Sequence, residues 1–503
     1  MLKKFCQCIG LASIILVMNY GPLLGGGYDV RLHVPYALRG IVYAHLADII
    51  LLGILLFIVL APLSRTRFGP WVRLVLSIIA PPYLLERTQT AFPFPFPLGL
   101  LVVIATVWTA ILLLLLLRFR RWYILLMRLG DFIGVFFAIF FLFTVGELLF
   151  MLTWKPGPQQ HTSAWATTPQ PPRQHPLLVW VVFDELSYDQ VFEHRAHDLS
   201  LPNFDALRSQ STVFTDAQPA GDKTVRVLPS LLTGRLIDAF EFTFNNRFMV
   251  HYTGTHGFQR LDQSQAVFAD AQRQGWRTAV VGWYNPYCLI YSGTIDDCYW
   301  MNLDELDGPM SQRDSFWQNT LSPLHQAAEE IISPAHANRS LCTFDVQHRY
   351  HTHIDLEQHT LHLLHDDQAD FMFLHLPIPH SPNIWSRMKN DYTQQCDSSY
   401  LDNLALTDRE LGRILGALQR SPRWKDTTLI VQGDHSWRIK LWDNQPAWTA
   451  EDDAASRSGF DPRPAVIIHQ AGQSQSQVVG TAWPLLNVHE VIEQILHNQP
   501  VHF

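Results

Sequence analysis

The sequence predicts two unlike parts in one chain: an N-terminal α-helical membrane bundle of about five spans, then an α/β domain with a doubly wound, mostly parallel sheet. Three observations carry that expectation. Residues 1–153 are long apolar runs joined by short basic loops, each run near the ~20 residues that cross a bilayer. From residue 177 onward, short β-branched and aromatic runs alternate with amphipathic ones, as when strands alternate with helices. Two of the strand-like runs stop abruptly at Asp184-Glu185 and Asp434-His435, the position where open α/β sheets keep their sites.

The apolar runs fall at 7–26, 40–62, 70–87, 98–117 and 130–153; the third is the weakest, because it carries Pro81 and Pro82. Basic residues mark alternate loops: Lys3 and Lys4, then Arg65, Arg67 and Arg73, then Arg118, Arg120, Arg121 and Arg128. By the positive-inside rule the N-terminus is cytoplasmic, and five spans then place everything after Trp154 outside. No small-residue cleavage site follows the first run, so it is read as a retained span. Asp131 and Glu147, in or near the last run, are given no role. Residues 154–176, biased toward Pro, Gln and Thr, read as an extended tether between domain 1–153 and domain 177–503.

Composition narrows the function classes. The 503 residues carry a formal net charge of −8 with no basic stripe, which excludes an evident nucleic-acid partner. Of six cysteines, Cys6 and Cys8 lie at the first apolar run, and Cys288, Cys298, Cys342 and Cys396 lie beyond the tether. An even number there fits disulfides in an oxidising compartment, with four free thiols as the alternative. No pairing follows from the sequence.

In the second part, the continuous apolar run 177–183 suits a central parallel strand covered on both faces. A helix is expected from Pro202, a short strand at 212–215, and a helix from Ala266 closed by Gly275. Strands at 277–283, 371–376, 427–431 and 464–468 and a long amphipathic helix at 400–418 complete the pattern. Between them, Gly221-Asp222-Lys223-Thr224 leads into an apolar run closed by Thr233-Gly234-Arg235, which puts the Thr224 hydroxyl where a loop enters a helix. Unpaired N–H groups there favour an anion beside the oxygen. A Thr in such a place serves either as a helix cap or, with the right company, as a nucleophile. The histidines His348, His351 and His353 admit both a metal box and chance clustering on a chain with 23 His.

Taken together, these segments resemble the sulfatase-like branch of the alkaline phosphatase superfamily over most of residues 175–503. Val181-Val182-Phe183-Asp184 resembles that family's first metal-ligand strand, and Leu201-Pro202-Asn203-Phe204-Asp205-Ala206-Leu207 is similar to its Leu-Pro-Asn segment. Thr224 followed by Pro229 to Arg235 resembles the nucleophile loop and helix, 400–412 the helix before the last metal strand, and Asp434-His435 its Asp-His pair. The resemblance extends to membrane-anchored phosphoethanolamine transferases and lipoteichoic acid synthases, which also carry about five spans before their catalytic domain. His375 and His380 are spaced like the paired histidines of the former.

The resemblance implies an alkaline phosphatase/sulfatase-type catalytic domain on the periplasmic or extracellular side of a bacterial inner (cytoplasmic) membrane. It implies a divalent metal held by Asp184, Thr224, Asp434 and His435, zinc first, with manganese or calcium as alternatives. A Thr cannot become formylglycine, so Thr224 is expected to act as a phosphotransferase nucleophile, with His380 as acid toward the leaving group. Glu185, His375, Lys223, Arg226 and Lys440 are expected as additional metal or substrate contacts. Glu185 either ligates or merely caps a turn. The implied reaction moves a phospholipid headgroup, phosphoethanolamine or phosphoglycerol, from a membrane donor to an envelope glycan or lipid acceptor. Hydrolysis of phosphate or sulfate esters at the same site is the alternative, and a catalytically silent lipid-binding regulator is the third reading. The continuation Asp434-His435-Ser436-Trp437-Arg438 departs from the family's Asp-His-Gly, which leaves a second metal site in question.

Overall fold

The computed structural model describes residues 1–24, 39–88, 98–153, 161–165, 175–242, 247–301, 315–321, 334–366 and 368–503. They divide into two compact units, one drawn from Met1–Gly26, Leu38–Trp154 and Pro309–Ile332, the other chiefly from Lys155–Gly308 and Ser333–Phe503.

The first unit is helical: α1 (Leu2–Leu24), α2 (Arg39–Leu63), α3 (Gly69–Thr88), α4 (Leu98–Arg118) and α5 (Arg120–Met151). Among the described residues, two helices are long and apolar enough to cross a membrane: Arg39–Leu63, mean hydropathy 2.8, and Gly99–Arg118, mean hydropathy 3.0. The other three of the five expected spans do not pass that test. In α3 the reason is plain, since Arg73, Pro81, Pro82, Glu86 and Arg87 interrupt it and its apolar part shortens to Gly69–Ile79. In α5 the apolar part is Phe141–Met151; Glu147 is exposed there, and the side chain of Asp131 lies outside the described residues. The Trp108 indole donates to the Ser77 carbonyl at 2.8 Å, tying α4 to α3.

The second unit is built on a nine-stranded sheet: β1 (His161–Ser163), β2 (Leu177–Phe183), β3 (Thr212–Phe214), β4 (Thr278–Trp283), β5 (Asp297–Met301), β6 (Phe371–Leu376), β7 (Thr427–Gly433), β8 (Val466–His469) and β9 (Gln477–Val479), in the order β1-β5-β4-β6-β2-β7-β8-β3-β9. The central run β5-β4-β6-β2-β7 is parallel; β1, and β8 on both of its sides, pair antiparallel. The all-apolar sequence of β2 explains its central place, because all seven side chains are buried and alternate between two cores. Leu178, Trp180 and Val182 join the core that holds Leu228, Leu231 and Val491. Leu177, Val179, Val181 and Phe183 join the core that holds Leu404, Leu411 and Ile414. Each such burial is worth about 1.5–3 kcal/mol, so two-sided coverage fixes the strand firmly.

Helices α6 (Pro202–Arg208), α7 (Thr224–Thr233), α8 (Val267–Arg273), α9 (Pro334–Asp366), α10 (Tyr400–Arg420) and α11 (Val488–Leu496) are the principal helices of this unit. α10 starts on a capping box between Ser399 and Asp402. Its Asp408 accepts from the Asn203 and Phe204 amides, both at 2.9 Å, and so caps α6, which lacks a side-chain cap of its own. Close approach is enforced at Gly412, where a Cβ would lie 2.7 Å from the Asn203 side chain.

Three features depart from the sequence expectations or go beyond them. Most of the expected tether lies outside the described residues, but 161–163 is an edge strand against β5, not free chain. The weakly patterned stretch beyond residue 334 is a long helix. The histidines at 348, 351 and 353 do not converge, since steps of three and two residues on a helix turn His351 outward while His353 is fully buried.

The four cysteines pair as Cys288–Cys298 and Cys342–Cys396. Cys298→Ser, by opening the ten-residue separation to Cys288, is expected to lower unfolding stability by about 3 kcal/mol. Urea denaturation of the oxidised protein and the variant checks it, and an unchanged midpoint contradicts it.

Candidate active site

Register builds the site. Phe183, the last residue of β2, sits beside Leu376 of β6 and Gly433 of β7. The next residues, Asp184 and Asp434, therefore emerge side by side, with His375 one step back on β6 and His435 one step on. Glu185 turns the chain sharply: its φ is +65°, a left-handed conformation that costs a non-glycine residue roughly 1–3 kcal/mol. That turn points its N–H at Asp434 Oδ1, 3.1 Å away.

Thr224 is the first residue of α7. The N-cap is Lys223, which caps with no side chain, so the capping role considered for Thr224 falls away. Its hydroxyl instead donates to Asp184 Oδ2 at 3.1 Å and lies 3.4 Å from His435 Nε2. Asp184, Asp434, His435 and Thr224 are all buried.

Proton placement makes this cluster unusual. His435 Nδ1 is 3.0 Å from the Ser436 carbonyl, which can only accept, so Nδ1 carries a hydrogen and Nε2 is turned to the acids. Nε2 faces Asp434 Oδ2 at 3.2 Å and Asp184 Oδ1 at 3.9 Å. His375 repeats the arrangement: Nδ1 donates to the Trp283 carbonyl at 2.8 Å beside the Tyr287 hydroxyl at 2.9 Å, and Nε2 faces Asp184 Oδ2 at 3.6 Å. Asp184 Oδ1, Asp434 Oδ2 and His375 Nε2 have no hydrogen-bond partner among the described residues. Two carboxylates and two imidazole nitrogens thus converge in a buried site, a donor set that a cation would satisfy. Asp184, Asp434 and His435 offer ligand atoms within 4.8 Å of one another. Burial and the facing Asp184 push the Asp434 carboxyl up, as for two acids sharing a desolvated site. The donor set therefore fits a divalent metal, with oxygen and imidazole suited to zinc or manganese.

A second layer adjoins it. The Glu185 carboxylate receives Arg438 Nε at 2.5 Å and the Trp442 indole at 2.9 Å. Those contacts answer the question left open for Glu185: it neither caps a turn nor joins the ligand cluster but holds a guanidinium. Arg438 also donates to His380 Nε2 at 2.9 Å and reaches the Asp222 carbonyl of the Thr224 loop at 3.4 Å. His380 Nδ1 sits against the Ser381 carbonyl and is 3.4 Å from Arg349 Nη2. Burial first, then Arg349 and Arg438, hold the His380 imidazole well below its ordinary range, against the pull of Asp184. With Nε2 accepting from Arg438, it has no proton there to give, so the acid role expected for His380 does not match this arrangement.

The three other expected cations do not join. Lys223 and Lys440 are exposed. Arg226 is turned to the Asp222 carboxylate and to the Asp238 carbonyl at 2.9 Å. Their place is taken by Arg438 and Arg349, which the sequence reading passed over. Arg438 had a readable signal, being three residues beyond His435 and able to fork a carboxylate as a lysine cannot. Arg349 had none, since it arrives from a helix with no clear periodicity. Arg438→Ala, which strands the buried Glu185 carboxylate, should cost about 3–5 kcal/mol, and adding Glu185→Gln should recover most of it. Chemical denaturation of the single and double variants reads both.

The family model for Sulfatase matches residues 176–486. The chain belongs to the sulfatase family. As a member of that family the chain is an enzyme, a hydrolase or transferase of sulfate or phosphate esters. No curated protein matches it. Similar solved structures include Ps i-CgsB in complex with k-i-k-neocarrahexaose, at 14% identity, 65% of this chain, 73% of that chain and a TM-score of 0.43. The phosphonate monoester hydrolase of Agrobacterium radiobacter aligns at 14% identity over 64% and 74%, with a TM-score of 0.39. The lipoteichoic acid synthase LtaP from Listeria monocytogenes aligns at 11% over 64% and 72%, with a TM-score of 0.38.

Proposed function

We propose that this sulfatase-family enzyme is a membrane-anchored, metal-dependent phosphotransferase that moves a phospholipid headgroup through a phospho-threonine at Thr224. The observation that carries the reading is the Thr224 hydroxyl itself, at the first turn of a helix and within 3.4 Å of both an Asp184 oxygen and His435 Nε2. Threonine offers a nucleophilic oxygen but cannot be converted to the formylglycine on which sulfate-ester hydrolysis in the family rests.

Asp184, Asp434, His435 and Thr224 would hold the cation, which supplies the positive charge that eases loss of the hydroxyl proton. Asp184 Oδ2, already the acceptor of that hydrogen, orients the oxygen. The first-turn amides of α7 face the region where phosphoryl charge collects. Arg438, anchored by Glu185 and tied to the Asp222 carbonyl, places a guanidinium beside the same loop. Thr224 Oγ forms the new bond to phosphorus as the bond to the donor's alcohol breaks, and that alcohol leaves with the proton that Thr224 gave up to Asp184 Oδ2. An acceptor hydroxyl then attacks phosphorus and returns Thr224 to its free state.

The donor is a membrane phospholipid carrying phosphoethanolamine or phosphoglycerol, and the acceptor an envelope glycan or lipid. Five spans in a bacterial inner membrane, with the catalytic unit on the periplasmic side, complete the proposal. Two apolar helices and two disulfides support it. Hydrolysis at the same site is the second reading, favoured by the family match, since water can replace the acceptor without changing a residue.

Intact-mass analysis of the full-length protein in detergent, incubated with phosphatidylethanolamine or phosphatidylglycerol, tests the reading. One phospho-headgroup added at Thr224, absent after chelation, is expected. Headgroup release to water without transfer to any hydroxyl acceptor favours the hydrolase, and no adduct and no release overturns both.

A further inference from the structure

A second constellation lies in the seam between α9 and α10, apart from the Thr224 cluster in composition and in elements. His353 and Glu357 are four residues apart on α9, which puts them on one face of the helix. Glu410 meets them from α10. One ligand atom from each residue lies within 4.8 Å of the others, and all three side chains are buried. His353 is fully buried, and neither ring nitrogen has a hydrogen-bond partner among the described residues; Glu410 Oε1 has none either.

We infer that His353, Glu357 and Glu410 form a second divalent-cation site that fastens α9 to α10. An imidazole with both nitrogens unpaired is expensive to bury, and so is a carboxylate oxygen facing it with no proton donor between them. A cation resolves both at once, because each atom in the group is a donor of electron pairs. Charge agrees. Glu357 and Glu410 bring two negative charges, and the neighbouring Arg413, ion-paired with Glu357, balances one of them. One imidazole with two carboxylates suits zinc or manganese and disfavours calcium, which prefers an all-oxygen shell.

The site has a consequence for the catalytic unit. One turn before His353 on the same helix face, Arg349 reaches the Pro377 carbonyl at 2.7 Å and His380 Nδ1 at 3.4 Å. A cation clamped at His353 fixes the helix that delivers Arg349 to the His380 loop.

Elemental analysis of the full-length protein in detergent, reconstituted with zinc and dialysed, tests the inference. Two equivalents per chain are expected in the unaltered protein, one in Asp184→Asn/Asp434→Asn, one in His353→Gln, and none in the combination. A single equivalent that disappears in Asp184→Asn/Asp434→Asn and survives His353→Gln overturns the second site. A single equivalent with the opposite response leaves the second site standing and removes the metal from the Thr224 cluster, so the two readings fail separately. Glu410→Gln should match His353→Gln. If either seam variant does not fold, Asp184→Asn/Asp434→Asn decides alone, since it leaves the seam intact: one equivalent retained supports the site and none overturns it.

Discussion

Thr224→Ala lowers turnover by about 10⁴-fold or more while the protein keeps its fold and its cation. The size follows from what is lost: a nucleophile that acts with its neighbours as a unit, without which the rest of the unit contributes little. The fold survives because the Thr224 side chain caps nothing; Lys223 provides the N-cap, and Thr224 contributes one hydrogen bond, to Asp184. Three of the four proposed ligands remain, so metal content should change little. Thr224→Ser keeps the oxygen and should recover much of the rate. Steady-state release of headgroup, with elemental analysis of the same samples, provides the check. A Thr224→Ala variant that still turned over within tenfold would remove the phospho-threonine from the mechanism.

Asp434→Asn abolishes activity and has opposite effects on stability with and without the cation. In the chelated protein, Asp184 and Asp434 face each other with unpartnered oxygens, and replacing one carboxylate relieves that repulsion. Two unit charges about 4 Å apart interact by roughly 4 kcal/mol at the effective dielectric of a protein site, so the gain should be a few kcal/mol. In the metal-loaded protein the same change removes a ligand and lowers Tm. The asparagine oxygen still accepts from the Glu185 and His435 amides, so the turn itself is preserved. Differential scanning calorimetry in chelator and in excess zinc reads the sign in each. The same sign in both states would mean that these acids do not share a cation.

The parts of the site that were legible in the sequence are those set by strand periodicity. An apolar run of seven residues ending in Asp184 suits a central strand covered on both faces, and the parallel register with β7 then sets Asp184 beside Asp434. Thr224 could be located because Gly221, the polar pair after it and the closing Gly234 punctuate the chain. Its role as cap or nucleophile could not be decided, since that depends on whether helix starts at residue 224 or 225. The positively charged layer was misread for a related reason. Lys440 and Arg438 are two residues apart, and only the left-handed turn at Glu185, invisible in the sequence, brings a carboxylate to the second and leaves the first in solvent. His353 was singled out with the wrong companions: its partners are four residues onward and on another helix, beyond the reach of local spacing.

The bridge between Cys288 and Cys298 bears on more than stability. Cys288 directly follows Tyr287, whose hydroxyl meets His375 Nδ1, and a Cβ on Gly282 would strike the Tyr287 ring at 2.4 Å. The ring is thus held from behind by a cross-link that persists in oxidising surroundings and opens in reducing ones. The chemistry proposed for Thr224 is thereby tied to the redox state of its surroundings. A chain kept reduced would have a loosened imidazole and an unfinished cage, whatever the sequence of its ligands.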